Sequence, residues 1–189
     1  MSYDSDSCDS FIEGEKIKTN ADIEKKIFPV YNENNFYITK EIILSILKLG
    51  NVYVTDIGNL EIWQKAFIHK SISKLSNANN ERLEFVGDRV LGLTLSNELL
   101  KLYPNDTEGD LDKKLASLVN KQACAEVIED YKLGKFLVLS SSQKKNKVGH
   151  KKIYGDLCES LIGAVFIDQG YEVANKFVLR LWKKKLKKS

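Results

Sequence analysis

The segment "NNERLEFVGDRVLGLTLSNELL", residues 79–100, reads as one long helix that is apolar around most of its circumference. A helix of that kind must be surrounded by other elements, because no single face of it suits water. A second segment, "IYGDLCESLIGAVFIDQG", residues 153–170, has the same character. Amphipathic patterns flank these two. "KEIILSILKLG" repeats apolar residues at helical spacing, with Gly50 placed as a C-cap. "GNLEIWQKAFIHKS" sets Leu60, Trp63, Phe67 and Ile68 on one face. "LDKKLASLVNKQACAEVIEDYKLG" predicts one or two helices closed by Gly134, and "YEVANKFVLRLWKKKLKKS" an amphipathic terminal helix. "PNDTEGD" is a turn-rich break, "KFLVLSSS" a short β-prone stretch or a loop, and "QKKNKVGHKK" a basic loop holding His150. No alternating strand–helix–strand pattern occurs, so the expected fold class is all-α, a compact helical bundle. Residues 1–36 are mixed and polar and predict an extension, partly flexible or docking on a domain over residues 37–189.

The two apolar helices carry acids. Glu81, Glu84 and Asp88 are three and four residues apart and fall on one stripe. As free anions Glu84 and Asp88, at i and i+4, repel each other, and the penalty grows as water is removed. Asp156 and Glu159, at i and i+3, repeat the pattern on the second helix. Small residues at Gly87, Gly92, Gly163 and Ala164 let the helices approach closely. Two outcomes remain open on these residues. Arg82 and Arg89 neutralise the acids in an ion-pair network, or the helices build an oxygen-only cage for a hard divalent cation such as Mg2+ or Mn2+. Neither segment contains a histidine, which disfavours a zinc or di-iron site.

Charge and cysteines narrow the setting. The formal net charge is +3 over 189 residues, but the chain starts acidic and ends in Lys183, Lys184, Lys185, Lys187 and Lys188. That asymmetry fits a polyanionic partner, or equally a helix end whose lysines suit the negative pole of the macrodipole. Cys8, Cys124 and Cys158 are odd in number and far apart, which argues against a disulfide framework and for a reducing compartment. No apolar run is long enough to span a bilayer, so no membrane partner is expected. The acidic start is not a secretory signal. The expected location is intracellular, with nucleus and cytoplasm both open.

"NERLEFVGDRVL" closely resembles the signature of the ribonuclease III family. "AFIHKS" before it, "EGDLDKKLASLVN" after it and "KIYGDLCESLIGAVFIDQGY" further on are similar to the family's neighbouring motifs, so the resemblance covers roughly residues 40–185. It implies the ribonuclease III endonuclease fold as a two-fold homodimer. It also implies a double-stranded RNA endonuclease using Mg2+, with Mn2+ able to substitute, and products with 5′-phosphate and 3′-hydroxyl ends and two-nucleotide 3′ overhangs, in RNA processing or small-RNA production. By motif position it assigns catalysis and metal binding to Glu81, Asp88, Asp156 and Glu159, and supporting roles to Glu84, Glu108 and Lys152. It implies that Phe85 sits at the subunit contact and that His69 packs and hydrogen-bonds. The alternative is a catalytically silent RNA-binding or structural protein that keeps the fold.

Two departures stand out. Leu115 takes the place where the family often has arginine, with Lys113 and Lys114 beside it as substitutes. The chain also stops at Ser189, leaving no room for the double-stranded-RNA-binding domain that most members carry. A truncated chain, a minimal enzyme, or reliance on a separate RNA-binding partner protein would each account for that. Phosphate contacts dominate nucleic-acid affinity, so Lys144, Lys145, Lys147, Lys151, Lys183, Lys184 and Lys185 are the candidates for RNA contacts outside the catalytic site. Trp63 and Trp182 are expected in the core or at an interface rather than as stacking platforms.

Overall fold

The structure, a computed structural model, describes residues 38–145 and 149–187, the side chain of Lys145 excepted. The N-terminal extension expected over residues 1–36 lies outside the described residues. The elements in order are α1 (Lys40–Leu49), α2 (Leu60–Ala66), α3 (Glu81–Leu102), α4 (Glu108–Val119), α5 (Lys121–Asp130), α6 (Ser141–Lys145), α7 (His150–Gln169) and α8 (Tyr171–Leu186). Short 3-10 turns occupy Ser76–Ala78 and Leu133–Phe136. Among the described residues, β pairing is limited to one parallel bridge between Ile68 and Val138. The all-α expectation is met.

The apolar character of α3 and α7 has the anticipated consequence: they pack on each other at the centre, with α5, α8, α4 and α2 around them. In α7 the burial is nearly continuous, from Ile153 through Val165. At the crossing the two backbones touch. A Cβ added at Gly87 would lie 1.7 Å from the Glu159 carbonyl oxygen, and one at Gly163 would lie 2.2 Å from that of Leu83. Only glycine fits at either position.

Trp63 and Trp182 are fully buried, as expected. Each indole satisfies its N–H, Trp63 by donating to Asp168 Oδ2 and Trp182 to the Leu118 carbonyl, both at 2.9 Å. The Ser160 hydroxyl donates to the Ala66 carbonyl at 2.8 Å and ties α7 to the end of α2. Cys124 and Cys158 are buried free thiols. No helix of the described residues is long and apolar enough to cross a membrane.

Local structure specifies the sequence expectations in two places and departs from them in a third. Gly50 does cap α1, but with φ −82°; the left-handed turn falls on Asn51, at φ 55°. Glycine is required at 50 by packing, because a Cβ there would lie 2.3 Å from Phe177 Cδ2. The stretch after "PNDTEGD" splits into two helices at Asn120. That side chain accepts from Ala123 N at 2.9 Å and donates to the Ser117 carbonyl at 2.9 Å, closing α4 and opening α5 at once. The basic stretch 143–152 is not one loop: α6 ends in it, and His150 opens α7.

Candidate metal centre

The crossing of α3 and α7 sets the acids against each other. Carboxylate oxygens of Glu84, Asp156 and Glu159 all lie within 4.8 Å of one another. Asp156 and Glu159 are 2% and 3% exposed, while Glu84 is half-buried. A third helix supplies the countercharge. Lys121, the first residue of α5, places Nζ 2.9 Å from Glu84 Oε1 and 2.8 Å from Glu159 Oε2, with Asp156 Oδ1 also in contact. Gly155 makes room for that lysine, since a Cβ there would lie 2.8 Å from Lys121 Cδ.

One ammonium among three carboxylates leaves the cluster with a net negative charge. Burial, helped by the nearby charges of Asp88 and Glu84, overrides the Lys121 pairing and pushes the Glu159 carboxyl up to about 7. Burial also outweighs pairing at Glu84, which is raised. At Lys121 burial acts downward, but the hydrogen bonds it donates to Asp156, Glu159 and Glu84 prevail and hold the ammonium protonated. His69 is buried and kept neutral-leaning by that burial, and its Nδ1 accepts from Ser71 N at 3.1 Å.

The cluster opens onto a depression of about 420 Å³ lined by Lys70, Glu81, Glu84, Phe85, Asp88, Arg89, Lys121 and Glu159. Asp88 lines it beside Glu84 and Glu159 and pairs with Arg89, whose guanidinium also lies 5.0 Å over the Phe85 ring. Glu81 stands apart from the cluster. Its carboxylate meets Lys70 Nζ at 3.4 Å and Asn79 Nδ2 at 3.5 Å. Glu84, expected in a supporting role, thus has its oxygens with Asp156 and Glu159, while Glu81, expected at the metal, faces Lys70 and Asn79 at the rim.

The remaining candidates are dispersed. Glu108 opens α4, is exposed and does not line the depression, and Lys152 is exposed on α7. Lys144, Lys151 and Lys183 are exposed. Lys184 lies 3.9 Å from Asp130, and Lys185 pairs with Glu126, so both have acidic partners already. Lys147 and the side chain of Lys145 lie outside the described residues. Leu115 packs on the core, and the lysines beside it are engaged, Lys113 with Asp110 at 3.1 Å and Lys114 with Asp106 at 3.8 Å. Of the two arginines that might have neutralised the acids, only Arg89 takes one, and the cluster is held by the unforeseen Lys121.

The sequence profile of the family described as Ribonuclease-III-like matches residues 59–186. The chain belongs to the ribonuclease-III-like family. Ribonuclease 3 of Pelagibacter ubique is 43% identical over 137 residues, 72% of this chain and 60% of the relative. Ribonuclease 3 of Leptospira interrogans is 34% identical over 153 residues, 78% of this chain and 62% of the relative. The chain therefore spans about 60% of the length of these curated ribonuclease 3 relatives. Among solved structures, the nuclease domain of ribonuclease III from Campylobacter jejuni superposes with a TM-score of 0.65 at 37% identity. That match covers 75% of this chain and 96% of the domain, in which one region is described as involved in dimer formation. Dicer from Pichia stipitis superposes with a TM-score of 0.51 at 26% identity, over 67% of this chain and 55% of that one. The family match thus takes in α2 through α8 of the fold described above, and α1 precedes it.

Proposed function

We propose that the protein is a divalent-metal-dependent endonuclease of double-stranded RNA, and that Glu84, Asp88, Asp156 and Glu159 hold the metal while Glu81 supports them from the rim. The observation that carries this is the oxygen-only cluster of Glu84, Asp156 and Glu159 in a ribonuclease-III-like bundle. Hard cations such as Mg2+ and Mn2+ favour all-oxygen ligand sets, and the Lys121 ammonium seated among these oxygens supports a site suited to positive charge. When bound, the metal supplies charge stabilisation at the phosphate and acidifies water. The chain's own residues do the rest. The buried acids fix the ligand geometry on two touching helices, and Lys70 and Arg89, paired with Glu81 and Asp88, stand on the open side where phosphates would lie. Incubation with long duplex RNA and Mg2+ or Mn2+, read on a denaturing gel, tests this. Products with 5′-phosphate and 3′-hydroxyl ends are expected, whereas intact RNA with both metals at low salt would leave the silent RNA-binding protein as the better account.

We also propose that cleavage is done by a homodimer, giving two-nucleotide 3′ overhangs from two paired sites. Phe85, Leu93 and Leu100 are 63%, 57% and 59% exposed and fall within one face of α3. Large apolar side chains grouped this way on one helix suit an isologous contact with a second copy. Wild-type protein is expected at twice the chain mass in solution, and Phe85→Asp at the single-chain mass. An unchanged mass would remove α3 from the contact.

Acid is expected to weaken the metal site. Glu159 is raised to about 7, so below that pH it carries a proton that a cation must displace. Divalent-cation affinity of the RNA-free protein should fall up to about tenfold per pH unit below neutrality if a single proton is released. Stability of the metal-free protein follows the opposite sign. The native state keeps this proton where the unfolded chain has lost it, so this contribution shrinks as pH rises from about 4.5 to about 7. Mn2+ titrations at pH 6 and pH 8 check the first statement, and equal affinities at the two would contradict it.

A further inference from the structure

Lys121 belongs to none of the acidic motifs, yet among the described residues its ammonium is the one that pairs with Glu84, Asp156 and Glu159 together. We propose that Lys121 is a built-in competitor for the divalent metal: without metal it binds Glu84, Asp156 and Glu159 itself, and it leaves for the open depression when the metal enters. The inference rests on the metal-site assignment given under the proposed function.

The geometry is that of a filled site. An ammonium has three donors, and Lys121 Nζ has three carboxylate partners, Glu84 Oε1 at 2.9 Å, Glu159 Oε2 at 2.8 Å and Asp156 Oδ1. A hard divalent ion of the magnesium type draws its oxygens to about 2.0–2.1 Å. The same oxygens cannot serve both cations, so the lysine and the metal exclude each other.

The lysine is delivered there by structure rather than by chance. Asn120 fixes the start of α5 with its capping bonds, which sets the direction in which Lys121 departs. Its methylenes then run over Gly155, where a Cβ would stand 2.8 Å from Cδ and 3.1 Å from the Lys121 carbonyl oxygen. The acids need such a partner. Asp156 and Glu159 have lost nearly all their water, and a buried acid without countercharge is strongly destabilising. The other nearby cations are engaged elsewhere, Lys70 with Glu81 and Arg89 with Asp88.

An exit exists as well. The Lys121 side chain is 38% exposed, and it lines the same depression as Lys70 and Arg89. Once displaced, its ammonium joins those two on the side that would face a polyanion. A bound phosphate backbone favours that outward position, so duplex RNA and metal should strengthen each other's binding through this one side chain.

The test is Mn2+ binding to the RNA-free full chain, followed by calorimetry and by the electron paramagnetic resonance of free Mn2+, for wild type, Lys121→Met, Lys121→Gln and Lys121→Arg. Removal of the competitor should tighten Mn2+ binding about tenfold or more in the Met and Gln variants, while Arg, which keeps a cation, stays near wild type or weaker. In parallel, metal-free Lys121→Met should melt below wild type, and saturating Mn2+ should raise its melting temperature by more than it raises that of wild type. Equal or weaker Mn2+ binding in both neutral variants, with wild-type binding intact, overturns the competitor role and leaves the metal site standing. Absence of Mn2+ binding in every variant and in wild type up to millimolar metal overturns both.

Discussion

Glu84→Gln and Glu159→Gln are each expected to lower duplex-RNA cleavage by roughly a hundred- to a thousandfold, the scale on which single charge-stabilising groups act, while Glu81→Gln costs less than about tenfold. The difference follows from position. Glu84 and Glu159 have oxygens in the carboxylate cluster, whereas Glu81 spends its charge on Lys70 and Asn79 at the rim. Both large losses should come with a fold near wild type. Removing one negative charge from three carboxylates that share a single ammonium relieves repulsion as well as weakening a pair, so circular dichroism and melting should change little. Cleavage rates at saturating Mg2+, measured with the same duplex for all three variants, decide the matter. Equal losses for Glu81→Gln and Glu84→Gln would mean that the rim acid enters the cluster in the working enzyme, as the signature motif alone suggested.

The different surroundings of these two glutamates show where the sequence stops being informative. Periodicity puts Glu81, Glu84 and Asp88 on one stripe, and at 100° per residue Glu81 and Asp88 lie closest together, about 20° apart. That makes them look like the natural pair. What decides the site is which side of α3 meets α7, and the touching backbones at Leu83 and Gly87 give the answer. Measured from the midpoint of those two residues, Glu84 lies about 80° away, Asp88 about 120° and Glu81 about 140°. Glycines within both helices signalled a close approach, but the sequence does not say which glycine faces which. Lys121 was hidden for a related reason. Its partners lie 35 to 38 residues away in the chain, and its direction depends on a helix break at Asn120 that the pattern left undecided. By contrast the buried helices, the core tryptophans and the acidic pairing of two helices were legible, because each depends on composition along a single element.

Gly163→Ala and Gly87→Ala are expected to destabilise the protein by about 3 kcal/mol or more each, among the larger effects a single methyl group can have. An added Cβ at 163 would sit 2.2 Å from the Leu83 carbonyl oxygen, and one at 87 would sit 1.7 Å from that of Glu159. Neither obstacle is a side-chain tip that can rotate aside. Both are backbone, so the helices must separate, and the core around Leu91, Leu157 and Ile162 must open with them. The helix propensity of alanine works the other way, by up to about 1 kcal/mol, and is outweighed. Gly109→Ala is the control. It adds the same methyl in α4 with nothing within 4 Å, and should be neutral or stabilise by up to about 1 kcal/mol. Urea denaturation of the three variants separates these cases. The same displacement would move Glu84 away from Glu159, so Gly87→Ala should also weaken divalent-cation binding under conditions where it is still folded. Near-wild-type stability in Gly87→Ala would show that α3 and α7 do not touch there, and the juxtaposition of the three carboxylates would lose its physical basis.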